Sequence, residues 1–425
     1  MKEKLCLISL GCDKNLVDSE MLLGHIAEDQ MYDYEFTDDE TAADVIVINT
    51  CCFILDAKQE SIDTILRAAG YKHTGSLKKL IVMGCLAERY QDEIIREIPE
   101  VDRVIRISDF EKAVREKPPR RRMLSTGGWY AYLKIAEGCN KRCTYCIIPY
   151  LRGNYRSYPM DELLTQAEQL AEEGVKELII VAQETTVYGV DLYGRKMLPE
   201  LLKKLCRIDG LRWIRIMYTY PEEITDELID VMASEPKICH YVDMPIQHAS
   251  DNVLKRMGRR TDRSDIENII SKLRNAVPDI VIRTSLITGF PGETEDDHRQ
   301  LLDFIDSQEL ERVGVFTYSP EEGTPAEQFP DQIDEKVKQK RREEIMLLQQ
   351  DISAAFSESL VGTDTEIMVE GWLPDDGIAV GRTYMDAPDV DGYIFVRTKK
   401  RYDSGTFINV RITGYSEYDL LGEEI

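Results

Sequence analysis

Three short apolar runs divide the first hundred residues: Leu5 to Leu10, Val45 to Ile48 and Leu80 to Met83. None alternates with polar residues, which suits strands buried on both faces. Between them the apolar positions change to helical spacing. Met21, Leu22 and Ile26 share a face of a helix predicted from Asp18 to Glu28, and Ile62, Ile65 and Leu66 share a face of a second. Strands of this kind alternating with helices predict a parallel α/β domain over residues 1–115. The pattern stops at residues 116–128, where Pro118, Pro119, Gly127 and Gly128 flank the run Arg120-Arg121-Arg122. That stretch reads as a solvated linker.

From residue 129 the strand–helix pattern returns and repeats about six times. The predicted strands are Tyr130 to Ala136, Glu177 to Gln183, Leu211 to Tyr218, His240 to Pro245, Ile280 to Thr288 and Val313 to Tyr318. Helices fill the gaps, among them Met160 to Glu173 and Arg263 to Ala276. The pattern predicts a partial (β/α)6 barrel, with its site at the C-terminal strand ends. A long helix is expected over 333–360, with Val337, Ile345, Leu348, Ile352 and Phe356 on or near one face. The domain is bounded at 129–355. Residues 356–425 then alternate apolar and polar positions between turn signals such as Asp375-Asp376-Gly377, as in a small antiparallel β-barrel.

Composition narrows the class. The chain has 425 residues, 43% hydrophobic and 31% charged, which suits two or three globular domains. No apolar run approaches the length of a membrane span, and the N-terminus runs directly into a strand, so a cytoplasmic location is expected. The net charge of −25 argues against broad nonspecific nucleic-acid binding and suits a basic partner. From Ala354 to Ile425 the chain carries 14 Asp+Glu against 6 Lys+Arg, a net −8. An RNA-binding module should present a basic face.

Ten cysteines in a reducing compartment favour metal or catalytic use over disulfides. Cys139, Cys143 and Cys146 stand at CxxxCxxC spacing within Gly138-Cys139-Asn140-Lys141-Arg142-Cys143-Thr144-Tyr145-Cys146. Zinc usually wants four close ligands, and no histidine lies near. Three thiolates suit a [4Fe–4S] cluster with one iron left open. The three N-terminal apolar runs each lead to a cysteine: Cys12, Cys51 and Cys85. In a parallel sheet those strand ends share one edge, so the thiols should converge and hold a second cluster. Cys52 adjoins Cys51, and spacing does not choose between them. Cys6, Cys206 and Cys239 read as core residues.

The CxxxCxxC loop after the first strand of a six-unit barrel resembles the radical S-adenosylmethionine superfamily. That resemblance implies S-adenosylmethionine as a cofactor. It places Tyr145 near the adenine, Gln183-Glu184 at the methionyl amine, and Ser285-Leu286-Ile287-Thr288-Gly289, with Glu293 beyond, at the adenine. The usual first glycine of the last motif is Ser285 here. The whole chain is similar to the methylthiotransferases, through Gly11-Cys12, Asn49-Thr50-Cys51, Gly84-Cys85-Leu86-Ala87-Glu88-Arg89-Tyr90, Glu137-Gly138-Cys139 to Pro149, and Gly289-Phe290-Pro291-Gly292-Glu293-Thr294.

This family resemblance implies an N-terminal α/β domain, a radical domain, a C-terminal TRAM barrel, two [4Fe–4S] clusters and Cys51 as the ligand rather than Cys52. It further implies a transferase. A radical made from S-adenosylmethionine abstracts hydrogen from unactivated carbon, sulfur held at the second cluster is inserted, and a second S-adenosylmethionine methylates it. No side-chain acid or base is assigned a catalytic role. Ser9 to Glu20 resembles the branch that modifies the β-carbon of an aspartate in ribosomal protein S-twelve, with an electron donor such as flavodoxin or ferredoxin. The alternative is the branch that modifies adenosine in tRNA. A noncatalytic iron–sulfur carrier is the third reading, although a carrier normally has all four ligands filled.

Overall fold

The computed structural model describes residues 2–28, 34–75 and 77–425. Met1 of the N-terminal stretch lies outside them. The chain forms two compact units: residues 1–125, 137–156 and 319–327 make one, and 126–136, 157–318 and 328–425 make the other.

The first unit is built on a five-stranded parallel sheet in the order Tyr34–Phe36, Glu3–Ser9, Val45–Thr50, Lys79–Gly84, Arg103–Arg106. The three apolar runs are its central strands, and every residue of Val45–Thr50 is buried. The two edge strands escape the apolar pattern because they are short and polar, as suits an edge that must not recruit another strand. Ile46, Ile48, Leu80 and Val82 pack in one cluster with Ile65 and Ala68 of the helix Leu55–Thr74. Leu66, expected on that face, is exposed, because Ser61, Thr64, Ile65, Ala68 and Ala69 form the inward stripe. The helix Asp13–Glu28 starts earlier than expected and buries an unusually polar set, including Asn15, Asp18, Ser19 and Glu20. Glu20 draws in the stretch after residue 116. It pairs with Arg122 at 3.1 Å and accepts from the amide and hydroxyl of Ser125. Arg122 is therefore buried, where the arginine run reads as solvated.

The second unit holds a six-stranded parallel sheet whose strands lie side by side in chain order: Tyr130–Lys134, Glu177–Val181, Trp213–Ile216, Ile238–Asp243, Val281–Thr288 and Arg312–Thr317. The helix Glu335–Ser359 lies against it. Its inward line is more polar than its spacing predicts: Lys338, Arg341, Ile345, Gln349 and Ser353 are buried, and Gln349 donates to the carbonyl of Leu310. Strands Asp364–Leu373, Ile378–Thr383, Ile394–Arg397, Phe407–Ser416 and Asp419–Glu424 close a barrel. Its pairs are antiparallel apart from Ile394–Arg397 with Asp419–Glu424. The barrel joins the sheet through buried charge: Glu177 takes Arg215 at 2.7 Å and Arg382 at 2.6 Å, and Arg312 pairs with Asp386 at 2.9 Å. Among the described residues no helix is long and apolar enough to cross a membrane.

Candidate metal centres and cofactor positions

In the first unit, parallel pairing brings Ser9 beside Asn49 and Thr50 beside Gly84, so the three central strands end together. Cys12, Cys51 and Cys85 follow those ends. Gly11 has φ +90°, and a Cβ there would lie 2.7 Å from the Cβ of Cys51; only glycine lets the two turns approach this closely. Asn15 centres the group. Its Oδ1 lies 3.9 Å from both the Cys12 and the Cys85 sulfur, while its Nδ2 donates to the carbonyls of Leu10 and Thr50. Asn49 locks Asn15 in turn, donating to its carbonyl at 2.7 Å and to the Ser19 hydroxyl at 2.9 Å. The Ser61 hydroxyl donates to the Cys51 carbonyl and accepts from the Cys51 amide.

Burial, then the neighbouring Cys85 sulfur, pushes the Cys51 thiol up to about 12. Burial raises Cys85 as well, opposed by Arg152. Two buried sulfurs that disfavour thiolate when left alone, gathered in one basin with Cys12, suit a cationic iron cluster that offsets the penalty. Cys52 is fully buried in the apolar cluster that also holds Ile46, Leu86 and Cys85. Cys6, Cys206 and Cys239 are buried, as core residues should be.

The second trio lies on a tight loop of the same unit. The Cys139 amide donates to the carbonyl of Gly153 at 3.2 Å, the Lys141 amide points at the Cys139 sulfur at 3.5 Å, and the Cys146 amide donates to the Cys143 carbonyl at 3.0 Å. Gly138, at φ +80°, sets the entry; a Cβ there would overlap the Asn154 carbonyl oxygen. Burial, then Cys143 and Cys139, raises the Cys146 thiol. In each trio the sulfurs are close enough to feel one another's charge, a donor set that fits [4Fe–4S] with one open iron. Tyr145 is half-buried on this loop.

Sequence reasoning missed Arg152, six residues beyond Cys146. Its guanidinium is buried, pairs with Asp18 at 3.0 Å and Glu137 at 2.9 Å, and donates to Asn15 Oδ1. An arginine close after a cysteine motif carries little signal by itself; the polar residues Asn15, Asp18 and Ser19, at and just before the start of the predicted helix, were the available clue.

The remaining candidates belong to the second unit. Gln183 follows the strand Glu177–Val181 and is half-buried; Glu184, next to it, is buried and accepts from the Thr186 hydroxyl. Ser285 is half-buried on Val281–Thr288, opposite Gly314, and its carbonyl accepts from the Gln247 amide. Gly289 ends that strand, and its amide and that of Phe290 donate to the Glu293 carboxylate at 2.6 and 3.0 Å. Burial raises the Glu293 carboxyl, opposed by Arg341 and these amides.

Family models match along the chain: residues 4–106 to the uncharacterised protein family UPF0004, 133–305 to the radical SAM superfamily, and 361–425 to the TRAM domain. Among solved structures, the chain resembles the radical S-adenosylmethionine methyltransferase TsrM of Kitasatospora setae at TM-score 0.53 and 13% identity, over 74% of this chain and 73% of that one. That likeness is one of fold. Full-length relatives are far more similar. The ribosomal protein uS12 methylthiotransferase RimO of Lachnoclostridium phytofermentans is 58% identical over 99% of both chains. The RimO of Acetivibrio thermocellus is 50% identical over 100% of this chain and 99% of that one. The chain belongs to the RimO family of radical S-adenosylmethionine methylthiotransferases.

Proposed function

We propose that the protein adds a methylthio group to the β-carbon of an aspartate in ribosomal protein uS12. The observation that carries this reading is the meeting of Cys12, Cys51 and Cys85 around Asn15, a second three-thiol basin beyond the one a radical S-adenosylmethionine enzyme needs. Cys139, Cys143 and Cys146 would hold one [4Fe–4S] cluster, and Cys12, Cys51 and Cys85 would hold another. When bound, the clusters supply one-electron chemistry on S-adenosylmethionine and a carrier for sulfur.

The chain's own groups bind and orient. By the family resemblance, Tyr145 on the cysteine loop would contribute to adenine recognition; in the six-stranded unit, Gln183 would receive the methionyl amine and Ser285 and Gly289 would serve the adenine. Glu293 ties the amides of Gly289 and Phe290 and so fixes that turn. No side chain removes the substrate hydrogen as a proton, since an aliphatic carbon is far too weak an acid for any side-chain base. A small flavodoxin- or ferredoxin-like protein supplies electrons, and the protein works in the cytoplasm. The acidic C-terminal barrel suits a basic ribosomal protein by charge complementarity.

The test is anaerobic incubation of the reconstituted protein with S-adenosylmethionine, a reductant and either purified uS12 or tRNA, followed by mass spectrometry. A methylthio adduct on an aspartate of uS12, with none on tRNA, is expected. An adduct on tRNA alone would overturn the substrate assignment.

A further inference from the structure

The Cys12/Cys51/Cys85 basin contains a charge that none of the cluster ligands requires. Arg152 comes from the loop that carries the other cysteine trio, yet it lies in the first trio's basin. One edge of its guanidinium, Nη1, meets Asp18 and Glu137 at 3.0 and 2.9 Å. The other, Nη2, donates to Asn15 Oδ1, the atom 3.9 Å from both Cys12 and Cys85 sulfurs. The guanidinium's charge is felt at the Cys85 and Cys51 sulfurs, where it opposes the effect of burial. Its side chain is only 1% exposed, so water screens it little. Leu151 beside it, and Ile147, pack into the sheet's apolar cluster, which holds the arginine in place.

We infer that Arg152 is a positioning residue that raises the reduction potential of the cluster held by Cys12, Cys51 and Cys85. The inference rests on the assignment of a cluster to those thiols. Reduction adds one electron, hence one negative charge, to a cluster whose sulfurs lie within a few ångströms of a fixed, buried cation. The cation stabilises the reduced form more than the oxidised form. Glu137 acts with the opposite sign. It lies on the far edge of the guanidinium and adds negative charge near Cys85. Charge near the sulfurs and hydrogen bonds to them are recognised controls on cluster potential. Arg152 also ties the two cysteine segments through its hydrogen bond to Asn15 and its ion pair with Asp18, so displacement of one loop is felt in the other trio's electrostatics.

The test uses the full chain with Cys139, Cys143 and Cys146 replaced by alanine, which leaves one cluster to observe. An EPR-monitored reductive titration with dithionite and mediators gives its midpoint potential, with iron content measured alongside. Arg152→Gln should disfavour reduction about tenfold or more, a fall of about 59 mV for one electron. Arg152→Lys should recover most of that fall, and Glu137→Gln should move the midpoint upward.

A cluster present at full iron content with its midpoint unmoved by Arg152→Gln, or moved the same way by Arg152→Gln and Glu137→Gln, would overturn the inference. If Arg152→Gln loses its iron through misfolding, the sign of the Glu137→Gln shift decides: upward supports, unmoved or downward refutes. A parent that binds no iron at all would instead refute the cluster assignment.

Discussion

Replacing Glu177 with glutamine should weaken the union of the six-stranded sheet and the C-terminal barrel more than any exposed ion-pair change. Glu177 accepts from Arg215 Nε at 2.7 Å and from Arg382 Nη2 at 2.6 Å, and all three side chains are 0% exposed. Burial alone would raise the Glu177 carboxyl, but the two guanidiniums overcome it, and its pKa is lowered. In Glu177→Gln, Arg382 keeps Glu370 at 2.7 Å, whereas Arg215 loses its carboxylate and is left with the carbonyl of Tyr384 at 2.7 Å. Removing one member of a buried ion set costs about 3–5 kcal/mol, and the cost here falls mainly on Arg215.

The three tryptophans, Trp129, Trp213 and Trp372, all belong to this unit, so their fluorescence during urea unfolding reports on it. With a slope of about 2 kcal/mol per molar urea, the loss is a midpoint shift of roughly 2 M. Because the folded pKa is depressed, the contribution is full above the unfolded value of about 4.3 and disappears as pH falls through the folded value. The wild type should approach the variant in stability at low pH. A midpoint shift under about 0.5 M at pH 7 would refute the reasoning.

Two further outcomes follow from single sites. Gly138→Ala puts a Cβ against the Asn154 carbonyl at φ +80°. It should cost about 2–3 kcal/mol locally and lower iron retention at Cys139, Cys143 and Cys146, with the other trio's iron unchanged on elemental analysis; equal iron would count against it. His248 is fully buried, its Nδ1 accepts from the Ser250 amide, and burial pulls its pKa down to about 3 despite Asp297 nearby, with His298 and Arg341 acting the same way as burial and Glu293 3.8 Å off. Its folded pKa lies below the unfolded value, so stability is full above about pH 6.5 and falls by about 2 kcal/mol between pH 7 and pH 5. His248→Gln should flatten that slope in urea titrations at the two pH values; an unchanged slope would contradict it.

The parts of this architecture that were legible in the sequence are those set by one-dimensional pattern. Uninterrupted apolar runs marked the central strands, and a cysteine just beyond each run marked one sheet edge. What escaped depends on three dimensions. The edge strands Tyr34–Phe36 and Arg103–Arg106 are too short and polar to stand out. Leu66 and the helix Glu335–Ser359 show the limit of reading faces from apolar spacing, because buried arginine, glutamine and serine supply part of the inward stripe. Arg122 reads as a solvated linker charge and Arg152 gives no signal of its own; only their tertiary partners, Glu20 in one case and Asp18, Glu137 and Asn15 in the other, bury them.

The most direct test of two three-thiol centres is iron analysis of the anaerobically reconstituted chain beside its Cys12/Cys51/Cys85→Ala variant. About eight irons per chain in the parent and about four in the variant are predicted, with the variant still cleaving S-adenosylmethionine. About four irons in the parent, or a variant that keeps about eight, would contradict it.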